Sequence, residues 1–301
     1  MTLGYDGSLY ILAFDHRGSF RKKLGVGSDP TPGETARIID GKSLIFEGFQ
    51  RAGADGAPRD AAGILVDEEY GADVARKAKA EGFLFAMPVE KSGQDEFDFE
   101  FGDAFGEHIE DFDPTFSKVL VRYNPQGDAE MNARQTARLK VLGDWLHERD
   151  RKYLFELLVP AEPAQLESVG GDDDRYDKEL RPGLMLGTIE ELHAGGVEPD
   201  IWKIEGIDRR EDCERIAQLV RSGGRDDVAC VVLGRGADAA AVDHWLGQGA
   251  GVPGYVGFAI GRTIWGGPLG AFVEGSADRG EAARQIAENY LRFIEVYEGR
   301  E

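Results

Sequence analysis

Asp200-Ile201-Trp202-Lys203-Ile204-Glu205-Gly206 is a short apolar run that carries one lysine and closes on a carboxylate and a glycine. Two-residue alternation puts Ile201, Lys203 and Glu205 on one face of a strand, with Trp202 and Ile204 on the other. Neither face is polar enough to meet water, so the strand is expected inside a sheet that is covered on both sides. Trp202 and Ile204 then pack against helices, and Lys203 points inward. A buried ammonium must be paired or must lose its proton.

The same kind of run recurs on either side. Leu9 to Phe14, Gly63 to Val66, Phe83 to Val89, Lys118 to Tyr123 and Tyr153 to Val159 precede it; Val228 to Leu233 and Tyr255 to Ile260 follow. The intervals are long enough for crossover helices. Amphipathic periodicity predicts helices over 35–51, 72–81, 132–148, 209–221, 238–246 and 277–297. Short apolar strands alternating with helices imply a parallel sheet, and this number of units suits a closed (β/α)8 TIM barrel, expected here as a single domain over residues 1–301. A doubly wound sheet would show a glycine-rich turn after its first strand, and Asp15-His16-Arg17-Gly18 is not one. Two segments break the rhythm. Residues 92–117 read as an extended loop with a short helix, and 163–186, with Gly170-Gly171-Asp172-Asp173-Asp174, as a solvent-exposed insertion.

Composition narrows the function. The chain has 301 residues and a formal net charge of −21, which disfavours nucleic acid and anionic lipid as partners. No run is long and apolar enough for a membrane span, and the first residues lack the basic flank of a secretory signal, so a cytoplasmic location is expected. Cys213 and Cys230 are the only cysteines and their spacing fits neither a zinc site nor a disulfide framework. The five histidines are irregularly spaced. His16 falls near the expected site, while His108, His147, His193 and His244 read as surface or capping residues. No cofactor and no metal are expected, and assembly of several copies is left open.

Barrel enzymes work at the C-terminal ends of their strands. Asp15, Asp67, Lys91, Arg122, Glu156, Lys203, Arg235 and Arg262 all lie within or just after a predicted strand. Together they form a ring at one end. An inward lysine is a nucleophile for a carbonyl, since desolvation and neighbouring cations favour the free amine; the spacing also fits a structural Lys–Glu pair. Glu156, isolated in an apolar strand, is expected to act as an acid/base with a pKa raised by burial, or to bridge to Lys118 or Lys203. Lys118 is placed deeper than Arg122 on the same strand face. Gly234-Arg235 and Gly261-Arg262 fall in the last two loops, where glycines admit backbone N–H groups to a phosphate and arginines add donors. Both arginines could instead tie loops to acidic neighbours. An inward lysine, a carboxylic acid and a phosphate grip fit a class I aldolase. The competing readings are a metal-dependent aldolase or isomerase using Asp15, Asp67, Glu156 and Glu205, and a non-catalytic sugar-phosphate sensor.

The chain resembles the aldolase domain of the inositol-catabolism kinase/aldolase family and, more distantly, tagatose 1,6-bisphosphate aldolases. The resemblance rests on Leu12-Ala13-Phe14-Asp15-His16-Arg17-Gly18-Ser19, Ile64-Leu65-Val66-Asp67-Glu68-Glu69-Tyr70-Gly71, Glu90-Lys91-Ser92-Gly93, Trp202-Lys203-Ile204-Glu205-Gly206 and Gly257-Phe258-Ala259-Ile260-Gly261-Arg262-Thr263. It implies Lys203 as the Schiff-base lysine, Glu156 as the acid/base and Asp15 in the pocket; Lys118, deeper on its strand, is read from the residues alone as tuning Lys203 by like-charge repulsion. It also implies a phosphate near Gly234, Arg235, Gly261 and Arg262; Arg17, Asp67, Lys91 and Arg122 are substrate-binding candidates by their places in the ring, Asp15 and Asp67 as groups that orient hydroxyls or shuttle protons. The implied substrate is a small phosphorylated carbohydrate such as 2-deoxy-5-keto-D-gluconate 6-phosphate, cleaved to dihydroxyacetone phosphate and malonate semialdehyde. The chain departs from the tagatose-type pattern at His16, where glutamine is usual, and at Arg122.

Overall fold

A computed structural model describes residues 3–300. Eight parallel strands follow one another in chain order and close on themselves: β1 (Leu9–Ala13), β2 (Ala62–Leu65), β3 (Leu84–Pro88), β4 (Phe116–Arg122), β5 (Lys152–Leu158), β6 (Ile201–Glu205), β7 (Ala229–Leu233) and β8 (Tyr255–Ile260). This is the (β/α)8 barrel that the apolar runs predict. Alternation on β6 is as expected. Ile201 packs inside the barrel with Leu9, Ile11, Phe116, Leu154 and Val231, whereas Trp202 and Ile204 pack in the outer layer between strands and helices. The β5–β6 register sets Glu156 directly opposite Lys203.

The helices are α1 (Gly18–Lys23), α2 (Pro32–Ala54), α3 (Glu68–Ala80), α4 (Phe105–Phe112), α5 (Ala129–His147), α6 (Pro163–Ser168), α7 (Asp173–Arg175), α8 (Arg181–Ala194), α9 (Arg210–Val220), α10 (Ala239–Gly249), α11 (Arg262–Val273) and α12 (Arg279–Glu298). Thr31 opens α2 with a capping box to Glu34 and a proline in the first turn. Asp67, Asp128, Asp238 and Asp278 cap α3, α5, α10 and α12 through their side chains.

Both irregular segments turn out to be structural. In 92–117, Phe99 forms an antiparallel bridge back to Glu90, Phe97 and Phe105 are buried, α4 is the crossover helix, and the start of β4 falls inside the range. The region 163–186 is solvent-exposed over 170–175, where its acidic run lies, and is anchored on either side. It runs through α6, α7 and a π-helical turn (Tyr176–Leu180) into α8, the crossover helix to β6. Tyr176 is buried and donates to the Val159 carbonyl at 2.9 Å, and the Arg181 guanidinium donates to Glu205 Oε1 and the Gly206 carbonyl. Charge density in the sequence hid these anchors.

The N-terminal end of the barrel is closed by the segment before β1. Fully buried Asp200 accepts from the backbone N–H groups of Gly4 and Tyr153, each at 2.8 Å, and pairs with Lys152 at 2.9 Å. The Tyr5 ring meets Phe116 edge-on. At the ring's seam, Gly257 brings β8 against β1 so closely that a Cβ there would lie 1.9 Å from the Leu9 carbonyl oxygen.

Candidate active site

The opposite end of the barrel, where the strands' C-termini emerge, holds a cavity of about 930 Å³. Asp15, Arg17, Lys91, Lys118, Arg122, Glu156, Lys203, Gly234, Arg235, Gly261 and Arg262 all line it. Asp67 does not. It is fully buried behind β2, where it caps α3 through the Tyr70 N–H and is ion-paired with the equally buried Lys42. The expectation that Asp67 meets the substrate is therefore corrected: its position after a strand reflects a helix cap.

The charged centre is built on Lys118. Its ammonium lies 2.8 Å from Asp15 Oδ2, 2.8 Å from Glu90 Oε1 and 3.0 Å from Glu156 Oε2. The other oxygen of Glu156 lies 3.0 Å from Lys203 Nζ. Lys203 thus has a carboxylate partner and borders the cavity as well. Both lysines are almost completely buried. Burial alone would lower Lys118, but Asp15, Glu156 and Glu90 outweigh it and hold the ammonium well above the ordinary lysine range. The same competition corrects the expectation for Glu156. Burial pushes its carboxyl up, yet Lys118 and Lys203 prevail, so it sits below the usual range. Asp15 is held low in the same way, chiefly by Lys118 against its burial. His16, beside Asp15, is kept neutral: burial pushes it down to about 4 despite that carboxylate.

Two rims flank this centre. On one side Arg17 donates to the Glu90 carbonyl at 2.7 Å and to Glu100 at 3.1 Å, and Arg122 donates to the Gln94 carbonyl at 2.9 Å. Lys91 is exposed at the same rim. On the other side Arg235, at φ 51°, pairs with Asp177 and with Glu205 at 3.1 Å, and Arg262 donates to the Arg235 carbonyl at 2.8 Å. Among the described residues Arg262 has no carboxylate partner. The first turn of α11 carries no side-chain cap, leaving backbone donors beside Gly261 and Arg262.

The sequence reading missed Glu90, Tyr176 and Asp177, which also line the cavity. Glu90 follows β3 as Lys91 does, and the lysine drew the assignment. Tyr176 and Asp177 lay inside the acidic stretch taken for an insertion. His108, expected at the surface, is buried beneath Phe101, with ring centroids 4.1 Å apart. The carboxylates of the metal-dependent reading are not gathered: Asp67 is elsewhere, and Glu205 is occupied by Arg181, Arg235 and the Val159 N–H. Among the described residues no group of three or more His, Cys, Asp or Glu is arranged to hold a metal ion, and no helix is long and apolar enough to cross a membrane.

Comparison with known proteins agrees with this architecture. Part of the chain is 26% identical over 162 residues to tagatose 1,6-diphosphate aldolase 2 of Streptococcus pyogenes, in serotypes M1 and M18; the match covers 52% of the chain and 46% of each relative. The chain thus spans about half the length of these curated relatives. A fructose-bisphosphate aldolase from Plasmodium falciparum superposes with a TM-score of 0.69 at 12% identity, over 98% of this chain and 91% of that one. Cgl0159 from Corynebacterium glutamicum superposes with a TM-score of 0.58 at 17% identity, over 97% and 88%. At such identities the superpositions show the shared barrel. A family model matches residues 5–301, and the chain belongs to that family, described as uncharacterized protein conserved in bacteria (DUF2090).

Proposed function

We propose that this protein is a class I aldolase that forms a Schiff base through Lys203 and cleaves a small phosphorylated keto sugar or sugar acid. The observation that carries this reading is a buried lysine amine bordering a large cavity, 3.0 Å from a carboxylate that a second lysine holds in place. Glu156, next to Nζ, takes a proton from Lys203; the freed amine attacks the substrate ketone, an N–H proton passes to the new oxygen, and Glu156 returns its own so that this oxygen leaves as water. In the resulting iminium the nitrogen accepts the electron pair of the breaking C–C bond. A carboxylate takes the proton of the substrate hydroxyl that becomes the new aldehyde, and Asp15 is placed for this. The enamine left behind takes up a proton at carbon, and water then frees the lysine. Lys118 orients Asp15 and Glu156 throughout.

The phosphate is assigned to Gly234, Arg235, Gly261 and Arg262, with the α11 backbone as further donors. Arg122 stands on β4 and Arg262 follows β8, half a turn of the ring apart. A second anionic end near Arg122, Lys91 and Arg17 favours a sugar acid, with 2-deoxy-5-keto-D-gluconate 6-phosphate as the first candidate. Its cleavage yields dihydroxyacetone phosphate and malonate semialdehyde.

The test is borohydride reduction with a panel of phosphorylated ketoses and keto-acids, followed by peptide mass spectrometry. A stable adduct on Lys203, absent from Lys203→Met, is expected. Turnover with no lysine modified would overturn the Schiff-base mechanism. Tight binding with neither adduct nor product would make the barrel a sensor.

A further inference from the structure

Three carboxylates and two ammoniums share the buried centre: Asp15, Glu90 and Glu156 against Lys118 and Lys203. With all five ionised, one negative charge is left over where desolvation is costly. Arg17 bears on Glu90 as well, but its one charge is shared with Glu100 at 3.1 Å and Glu68 at 3.8 Å, so it brings further carboxylates with it. His16 is neutral. Lys91 is exposed at the rim. The cluster is therefore balanced by one bound proton.

Geometry says where that proton sits. Both oxygens of Glu156 face ammoniums, and Asp15 takes an ammonium contact and has His16 beside it. Glu90 has one ammonium contact, through Oε1; its Oε2 is buried with no hydrogen-bond partner. Lys118 has no donor left for it, because its three N–H groups match Asp15, Glu90 and Glu156. An ionised oxygen stranded there costs far more than a hydroxyl does. Burial, the largest influence on this carboxyl, raises its pKa and outweighs Lys118 and Arg17.

We propose that Glu90 stands in the free site as a neutral carboxylic acid, which leaves the Lys118 ammonium to hold the Asp15 and Glu156 carboxylates in place. This deepens the aldolase reading and rests on it only for the roles of those two carboxylates. A neutral acid at this point suits an anionic sugar, which a third bare carboxylate would repel. Glu90 is a positioning residue that keeps its proton; the proton carriers are Glu156 and Asp15.

Two measurements separate this inference from the aldolase reading. The first needs no substrate: infrared difference spectra of the free protein should show a protonated-carboxyl stretch that shifts in deuterium oxide and is absent from Glu90→Gln. If Glu90→Gln removes no such band, the inference falls, whatever the enzyme turns over. The second is the pH profile of turnover on the substrate that traps at Lys203. Glutamine keeps a neutral side chain of the same shape, so Glu90→Gln should retain activity within roughly tenfold and lose the alkaline decline expected of the wild type as Glu90 ionises. Glu90→Ala leaves a Lys118 N–H without its partner and should lower kcat by roughly 10- to 100-fold. A folded Glu90→Gln that still traps substrate but keeps the wild-type alkaline limb, or turns over no faster than Glu90→Ala, would overturn the role.

Discussion

At the scale of single residues, burial and pairing decide more than sequence position does. Asp67, just after β2, and Glu156, within β5, are both buried carboxylates, yet one props up the fold and the other faces the cavity. Replacing Asp67 by Ala strands the Lys42 ammonium in the interior and should cost about 3–5 kcal/mol, the usual penalty for breaking a buried pair. A large fall in Tm with an unchanged KM for the folded fraction is the expected result. Lys203→Met keeps most of the side chain's volume and removes the amine; kcat should drop by at least roughly 1,000-fold while the far-ultraviolet dichroism stays native. The inward lysine was legible because alternation in a short apolar strand leaves it only one direction to point. The sign of the Glu156 shift was not. It depends on two lysines contributed by β4 and β6, and no local pattern in β5 reports their distances.

At the scale of elements, strands were read to within about two residues because doubly buried strands leave a continuous apolar trace. The helices α8 and α11 were missed. One begins inside a charged stretch, and the other is apolar and contains Pro268. The Tyr176–Leu180 turn matters for function because Asp177, within it, engages Arg235 on the following side of the cavity. Arg235→Ala should raise KM for a phosphorylated substrate by roughly 10- to 100-fold and leave KM for its dephosphorylated analogue nearly unchanged. An equal change for both would remove Arg235 from the phosphate site. At the seam, Gly257→Val has no room beside the Leu9 carbonyl. Overpacking of this severity should cost ~3 kcal/mol or more, read as a lowered denaturant midpoint.

At the scale of the whole molecule, buried histidines link stability to pH. His16, His108 and His193 are each pushed from 6.5 down to about 4, burial being the main cause. The unfolded chain therefore binds more protons between these values, and stability falls as pH drops from 6.5 towards 4. Together the three should remove on the order of a few kcal/mol. Asp15 and Glu156, held low in the folded state, give up their contribution only at still lower pH. The carboxyl of Glu68, raised by burial to about 7, and those of Glu90 and Asp67, also raised, act in the opposite sense. The histidine share is therefore read by difference: between pH 6.5 and 4 the calorimetric Tm of the wild type should fall more steeply than that of His193→Gln, and equal slopes would contradict the assignment.

The closure of β1 onto β8 has one more consequence, for biosynthesis. The cavity draws on residues from Asp15 to Arg262, so a chain still leaving the ribosome has Lys203 before it has Gly261 and Arg262, and its first strand before the partner that closes the ring on it. An interrupted translation product lacks one wall of the cavity, so under the proposed mechanism it releases no reactive enamine.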